Sequence, residues 1–227
     1  ATTTAAKITS TTDITTLTAA DFAKLTAADL AVLNKTQAAA LSGDQLAGVT
    51  PAALPAIEPV LKYITADALS GIAPKAIPGL PVKTLTATQM KGFSGDQLSS
   101  FTAAQVGTLS KAQITAIADD DIASLNLANV SIANIDSTKF DNLSAAQIAK
   151  LTSAQINGLS AGQFAAITAE QAAAFTPAEA AYFKSFVSFS ATNVIPNLDP
   201  KFVAAMPAKL FGGLSVTQLA QFTDTQV

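Results

Sequence analysis

Between Leu143 and Gln171 the chain reads LSAAQIAK, LTSAQING, LSAGQFAA, ITAEQ. An apolar residue followed by Ser or Thr returns every eight positions, with Gln three places after the hydroxyl. With the apolar residue as position 1, Leu17, Leu25, Leu33, Leu41 and Val49 form a first array. Leu85, Phe93, Phe101, Leu109, Ile117 and Leu125 form a second, and Leu143, Leu151, Leu159, Ile167 and Phe175 a third, with Leu214 and Phe222 later. Position 5 is Gln or Asp, and position 6 is apolar again: Phe22, Leu30, Leu46, Leu98, Ile148, Ile156, Phe164.

This spacing has a local cause. A hydroxyl at position 2 acting as N-cap makes position 5 the third helical residue, and Ser/Thr-x-x-Gln is then a capping box. Positions 1 and 6 become the two sites of a hydrophobic staple. Each octad therefore predicts one short helix, started afresh. Proline supports the frame: Pro51, Pro59, Pro74, Pro177 and Pro200 all fall at position 3, the first helical residue, where a missing amide costs nothing. Gly48, Gly71, Gly79, Gly92, Gly158 and Gly213 fall at position 8, where a left-handed glycine could end the helix.

One long helix fits poorly, because eight residues advance about 80° beyond two full turns and the apolar stripe would wind around the axis. A β-solenoid is the rival, since Thr, Ile and Phe suit strands. However, TAAQ and SAAQ do not alternate, and Ala and Gln favour helix. Isolated helices this short are unstable, so the units must stack on one another as repeat arrays do. The prediction is an all-α solenoid of short helices. The number of octads in a superhelical turn is not set by this argument.

Residues 1–16 read as a polar arm or cap and 17–227 as one continuous octad array. The array is irregular at 49–84, where Pro is frequent and two units are short, at 125–134, and at 183–213. Phe183, Phe186, Phe189, Phe202 and Phe211 gather in the last of these stretches, predicting core packing or, in a second reading, an exposed patch. The final FTDTQV stops partway through a unit, which fits either a piece of a longer array or ends that join other copies.

Composition narrows the function. The chain has 13 Lys and Arg against 16 Asp and Glu, a net charge of −3, and no Arg, His, Cys or Trp. That balance lacks the basic footprint of a nucleic-acid binder. Without His or Cys there is no thiolate, usual triad or conventional zinc site. No apolar run is long enough to span a bilayer. Asp119, Asp120 and Asp121 make the one dense acidic run. It is expected in the first turn of a helix, where negative charge suits the dipole, with a calcium site as the alternative. No catalytic, cofactor-binding or metal-binding residue is assigned. The Ser/Thr column could serve as a hydroxyl ladder for ice or glycan, although capping hydroxyls are already engaged by amides. The start at Ala1 without Met fits a removed leader or a cleaved boundary.

FTAAQVGTL at 101–109 and LTAADLAVL at 25–33 resemble the opening of TAL-effector DNA-binding repeats. The longer period, base-reading dipeptide and basic stripe of that family are missing, so no residue role carries over. In its repetitive style the chain is similar to exported bacterial surface-layer proteins, adhesins and extracellular filament subunits. That resemblance implies an extracellular structural protein whose partners are other copies of itself. The alternative is an adhesin presenting a solenoid face to a cell-surface glycan or protein.

Overall fold

The computed structural model describes residues 7–183 and 194–227. Among them every regular element is helical, with 18 short α-helices, 8 stretches of 3₁₀ helix and no strand. The β-solenoid alternative is thereby excluded. The chain divides into two compact units, Ala1–Asn126 and Leu127–Val227, and the boundary falls inside the irregular stretch 125–134.

The predicted N-termini are present. At Thr26 the side chain accepts the Asp29 amide while the Asp29 carboxylate accepts the Thr26 amide. The same reciprocal pair caps Ser42–Gln45, Ser94–Gln97, Ser110–Gln113, Thr152–Gln155 and Ser160–Gln163. The staple residues are buried with them: Leu25 and Leu30 are 3 % and 1 % exposed. Phe140, Leu143, Ile148 and Leu151 form part of the core of the second unit.

The helix ends differ from expectation. No described residue, glycine or otherwise, has a positive φ. The capped helices mostly close instead through the amide of the next position 1, which donates to the position 6 carbonyl three residues back. Leu33 to Leu30 (3.2 Å), Val49 to Leu46 (3.1 Å) and Leu109 to Val106 (3.1 Å) are examples. Position 1 then turns extended, as at Val49 with ψ 133° and Ile117 with ψ 139°. The N-cap after it is extended too, so the chain reverses without a left-handed residue.

Four of the position 8 glycines have another role. A Cβ on Gly71 would lie 2.1 Å from the Gly43 carbonyl oxygen, and one on Gly79 2.1 Å from that of Pro51. Gly48 meets the Ala19 oxygen in the same way, and Gly92 that of Ala66. In each pair, position 8 touches position 3 of the unit three places earlier. These glycines let neighbouring turns come into backbone contact.

Proline also departs in part. Pro74, Pro177 and Pro200 open their helices as expected. Pro51 instead lies in a turn ahead of the 3₁₀ helix Leu54–Tyr63, and Pro59 lies inside that helix, because the short unit at 57–63 leaves no room for a fresh cap. The stretch 125–134 carries the 3₁₀ segments Leu127–Asn129 and Ile132–Asn134.

Candidate functional site: the glutamine ladder

The most elaborate polar arrangement is built from position 5. Gln45, Gln97, Gln113, Gln155, Gln163 and Gln171 are all less than a tenth exposed, a costly place for an amide unless each polar atom is bonded. The side-chain oxygen is occupied within its own octad. Gln163 Oε1 accepts the Ser160 amide at 2.8 Å and, at 3.0 Å, the Ser160 hydroxyl.

The nitrogen reaches elsewhere. Gln163 Nε2 donates to the carbonyls of Ile132 (2.7 Å) and Ile135 (2.8 Å). Gln171 Nε2 donates to Phe140 (2.8 Å) and Leu143 (2.7 Å), and Gln155 to Leu127 (2.6 Å) and Val130 (3.0 Å). In the first unit Gln45 joins Ile14 and Leu17, Gln97 joins Leu69 and Ile72, and Gln113 joins Val82 and Leu85. Gln37, Gln89, Gln105 and Gln226 make corresponding pairs of bonds.

The register answers what periodicity left open. Leu17 is position 1 of the octad three before that of Gln45, and Leu143 stands in the same relation to Gln171. Three octads therefore make one turn. The accepting carbonyls belong to positions 1 and 6, where the chain leaves the helix; the position 6 oxygen already accepts the next position 1 amide, as Phe140 does from Leu143, and takes the glutamine as a second donor. Each glutamine thus closes the cap of its own helix and fastens that helix to the turn before.

Position 5 carries a carboxylate where the ladder has no rung. Asp21 and Asp29 are partly exposed, and each Oδ2 accepts both the amide and the hydroxyl of its N-cap threonine at 2.6–3.0 Å. Those bonds hold both carboxyls below the usual range, led by the backbone bond for Asp21 and the hydroxyl bond for Asp29. Glu179 is the buried exception, 5 % exposed, with its Oε2 accepting the Thr176 amide at 2.7 Å.

Other sequence-predicted features are placed as follows. Asp119 and Asp120 are exposed in a turn ahead of the 3₁₀ segment Ile122–Ser124, and Asp121 is partly buried beside it. The amides of Asp121 and Ile122 both bond the Ala118 carbonyl (3.1 Å each), so the run does begin a helical turn, though not a capped α-helix. Among the described residues no three carboxylates come together in a way that could hold a metal ion. No described helix is long and apolar enough to cross a membrane. Phe183 and Phe202 are core, with centroids 5.5 Å apart edge to face, and Phe175 packs on both at 5.1 Å and 5.8 Å. Phe211 is partly exposed against Phe222 at 5.7 Å. Phe186 and Phe189 lie outside the described residues. A shallow groove of about 400 Å³ is lined by Ser10, Thr11, Thr12, Asp13, Asn34 and Thr36, among others.

The ALTTAQ repeat matches residues 132–177. Over that stretch KLTSAQ, GLSAGQ and AITAEQ run from position 8 to position 5, each ending on a ladder glutamine. This is a helical repeat protein. No curated protein matches the chain.

Proposed function

We propose that this chain is a structural solenoid that self-associates outside the cell into a filament, sheath or surface layer. The observation that carries the reading is the ladder. Its buried polar chemistry is committed to joining turn to turn, as expected of a part whose task is to hold a shape. Composition supports it as well. Only 13 % of residues are charged, about half of what a soluble domain ordinarily carries, so copies packed side by side meet little repulsion. An octad surface repeating at fixed intervals also offers equivalent contacts along its length. Sedimentation velocity over a wide concentration range, with electron microscopy of the same samples, tests this. Ordered polymers are expected, and a species that stays monomeric at high concentration, with and without calcium, rules self-assembly out.

A second reading, a binding module for glycan, draws on the hydroxyl-lined groove at Ser10–Thr12, Asn34 and Thr36. Its side chains are partly engaged already: Asn34 Nδ2 donates to the Ser10 carbonyl and Thr36 N–H to Asn34 Oδ1. A glycan array showing no ligand would remove it.

A further inference from the structure

Glu179 stands at position 5 of FTPAEAAY, residues 175–182, where the preceding octads carry Gln171, Gln163, Gln155 and Gln147. Its Oε2 does what a glutamine oxygen does there, accepting the amide and hydroxyl of Thr176 at 2.7 and 3.0 Å. Its Oε1 is buried and has no hydrogen-bond partner. In the ladder that second atom is the nitrogen, reaching the carbonyls 28 and 31 residues back, as Gln171 does to Leu143 and Phe140. The same register sets Glu179 over the carbonyls of Leu151 and Ile148. Two bare oxygens facing one another repel, whereas an O–H would restore the rung.

We propose that Glu179 works as an uncharged acid, its Oε1 proton donated to the Leu151 or Ile148 carbonyl, so that ionisation breaks this one rung. The octad thereby carries a pH-sensitive joint in a ladder whose glutamine rungs, being amides, do not titrate. Burial acts in the required direction, pushing the carboxyl above its ordinary value against the opposing bonds from Thr176. Among the described residues no neighbouring charge enters that shift. The charged residues on or beside the elements around it are Lys150 after Ala145–Ile148, Glu170 on Ala169–Ala173, and Asp199 and Lys201 at Pro200–Ala204. All four are exposed. Lys184 lies outside the described residues.

The sign follows from linkage. A group whose folded pKa is raised binds its proton more tightly in the folded state. Its contribution is therefore fully present below the unfolded value of about 4.3 and is lost as pH rises through the folded one. The test compares the whole chain with Glu179→Gln, the residue of the neighbouring octads, by urea unfolding from about pH 4 to about pH 8. The two should match at the acid end. At the alkaline end the variant's folded-to-unfolded ratio should exceed the wild type's about tenfold, the scale of one buried donor restored. Gln171→Glu should import the same dependence into its own turn. A wild-type-to-variant difference constant across pH, or a Gln171→Glu chain without pH dependence, overturns the proposal. Wild-type stability at neutral pH that rises with calcium or sodium, and does not in Glu179→Gln, places a cation on Oε1 and also overturns it. So does a difference that appears only once Lys184 is replaced by Ala, since the carboxylate is then ion-paired.

Discussion

Residues 49–84 and residues 143–177 coil with the same three-unit turn but join their turns by different means. In the second stretch Gln155, Gln163 and Gln171 bond the carbonyls of the previous turn. In the first, position 5 is Ala53, Leu61, Ala68 or Ala76, all buried and without a side-chain donor, and in the last, shortened unit it is Thr84, whose hydroxyl bonds the nearby Pro81 carbonyl. There the turns meet through Gly71 on Gly43 and Gly79 on Pro51. A glutamine rung is directional and fixes register through hydrogen bonds. Backbone contact fixes it through sterics, which a single methyl group can undo. The comparison shows that the octad specifies a helix and its cap, while the joint between turns is a separate choice.

The largest expected effect is at the steric joint. Gly71→Ala places a Cβ 2.1 Å from a backbone oxygen that cannot move without its whole turn, so unfolding in urea should show a loss of about 3 kcal/mol or more. Gly43→Ala, across the same contact, meets its nearest atom at 3.3 Å and should cost about 1 kcal/mol or less. If the two substitutions cost the same, the joint is not steric. Next comes the polar joint. Gln163→Leu keeps the volume but removes donors to Ile132 and Ile135 and the acceptor of the Ser160 amide. A loss of about 2–3 kcal/mol is expected, and a change under 1 kcal/mol would demote the ladder to decoration. Thr102→Ala removes only the cap to Gln105 and should cost about 1 kcal/mol, read as a small shift in the urea midpoint.

The smallest effect is the pH response of the partly exposed carboxylates. Asp21 and Asp29 have depressed pKa values from their threonine bonds. Their contribution is thus present above the unfolded value of about 3.9 and is lost as pH falls through the lower folded value. Thermal melts of Asp21→Asn/Asp29→Asn should converge with the wild type in acid and fall slightly below it near neutrality. This slope is opposite in sign to that expected of Glu179, and equal slopes would contradict the assignment of burial as the deciding difference.

Much of the helix pattern was legible because caps and staples act over six residues. Thr152, Gln155, Leu151 and Ile156 suffice to start and seat one helix, and each could be picked out by spacing alone. The second role of glutamine left a fainter signal. A capping box needs only an acceptor at its third position, and Glu or Asp would serve. The preference for an amide over a carboxylate at Gln97, Gln113 and Gln163 was the trace of donors needed elsewhere. The glycine pattern was visible but pointed to the wrong cause, because both a left-handed helix end and a close backbone approach select for a missing Cβ.

By itself, then, the order of residues determined where each capped helix starts, which two side chains it buries and that it must be short, since these follow from interactions between near neighbours. The three-octad turn, the carbonyls that receive each glutamine, the contact of Gly71 with Gly43 and the dry setting of Glu179 were decided by the coil as a whole. They depend on atoms some 25–31 residues apart, and such distances are set only when every reversal of the chain has added its angle to the last.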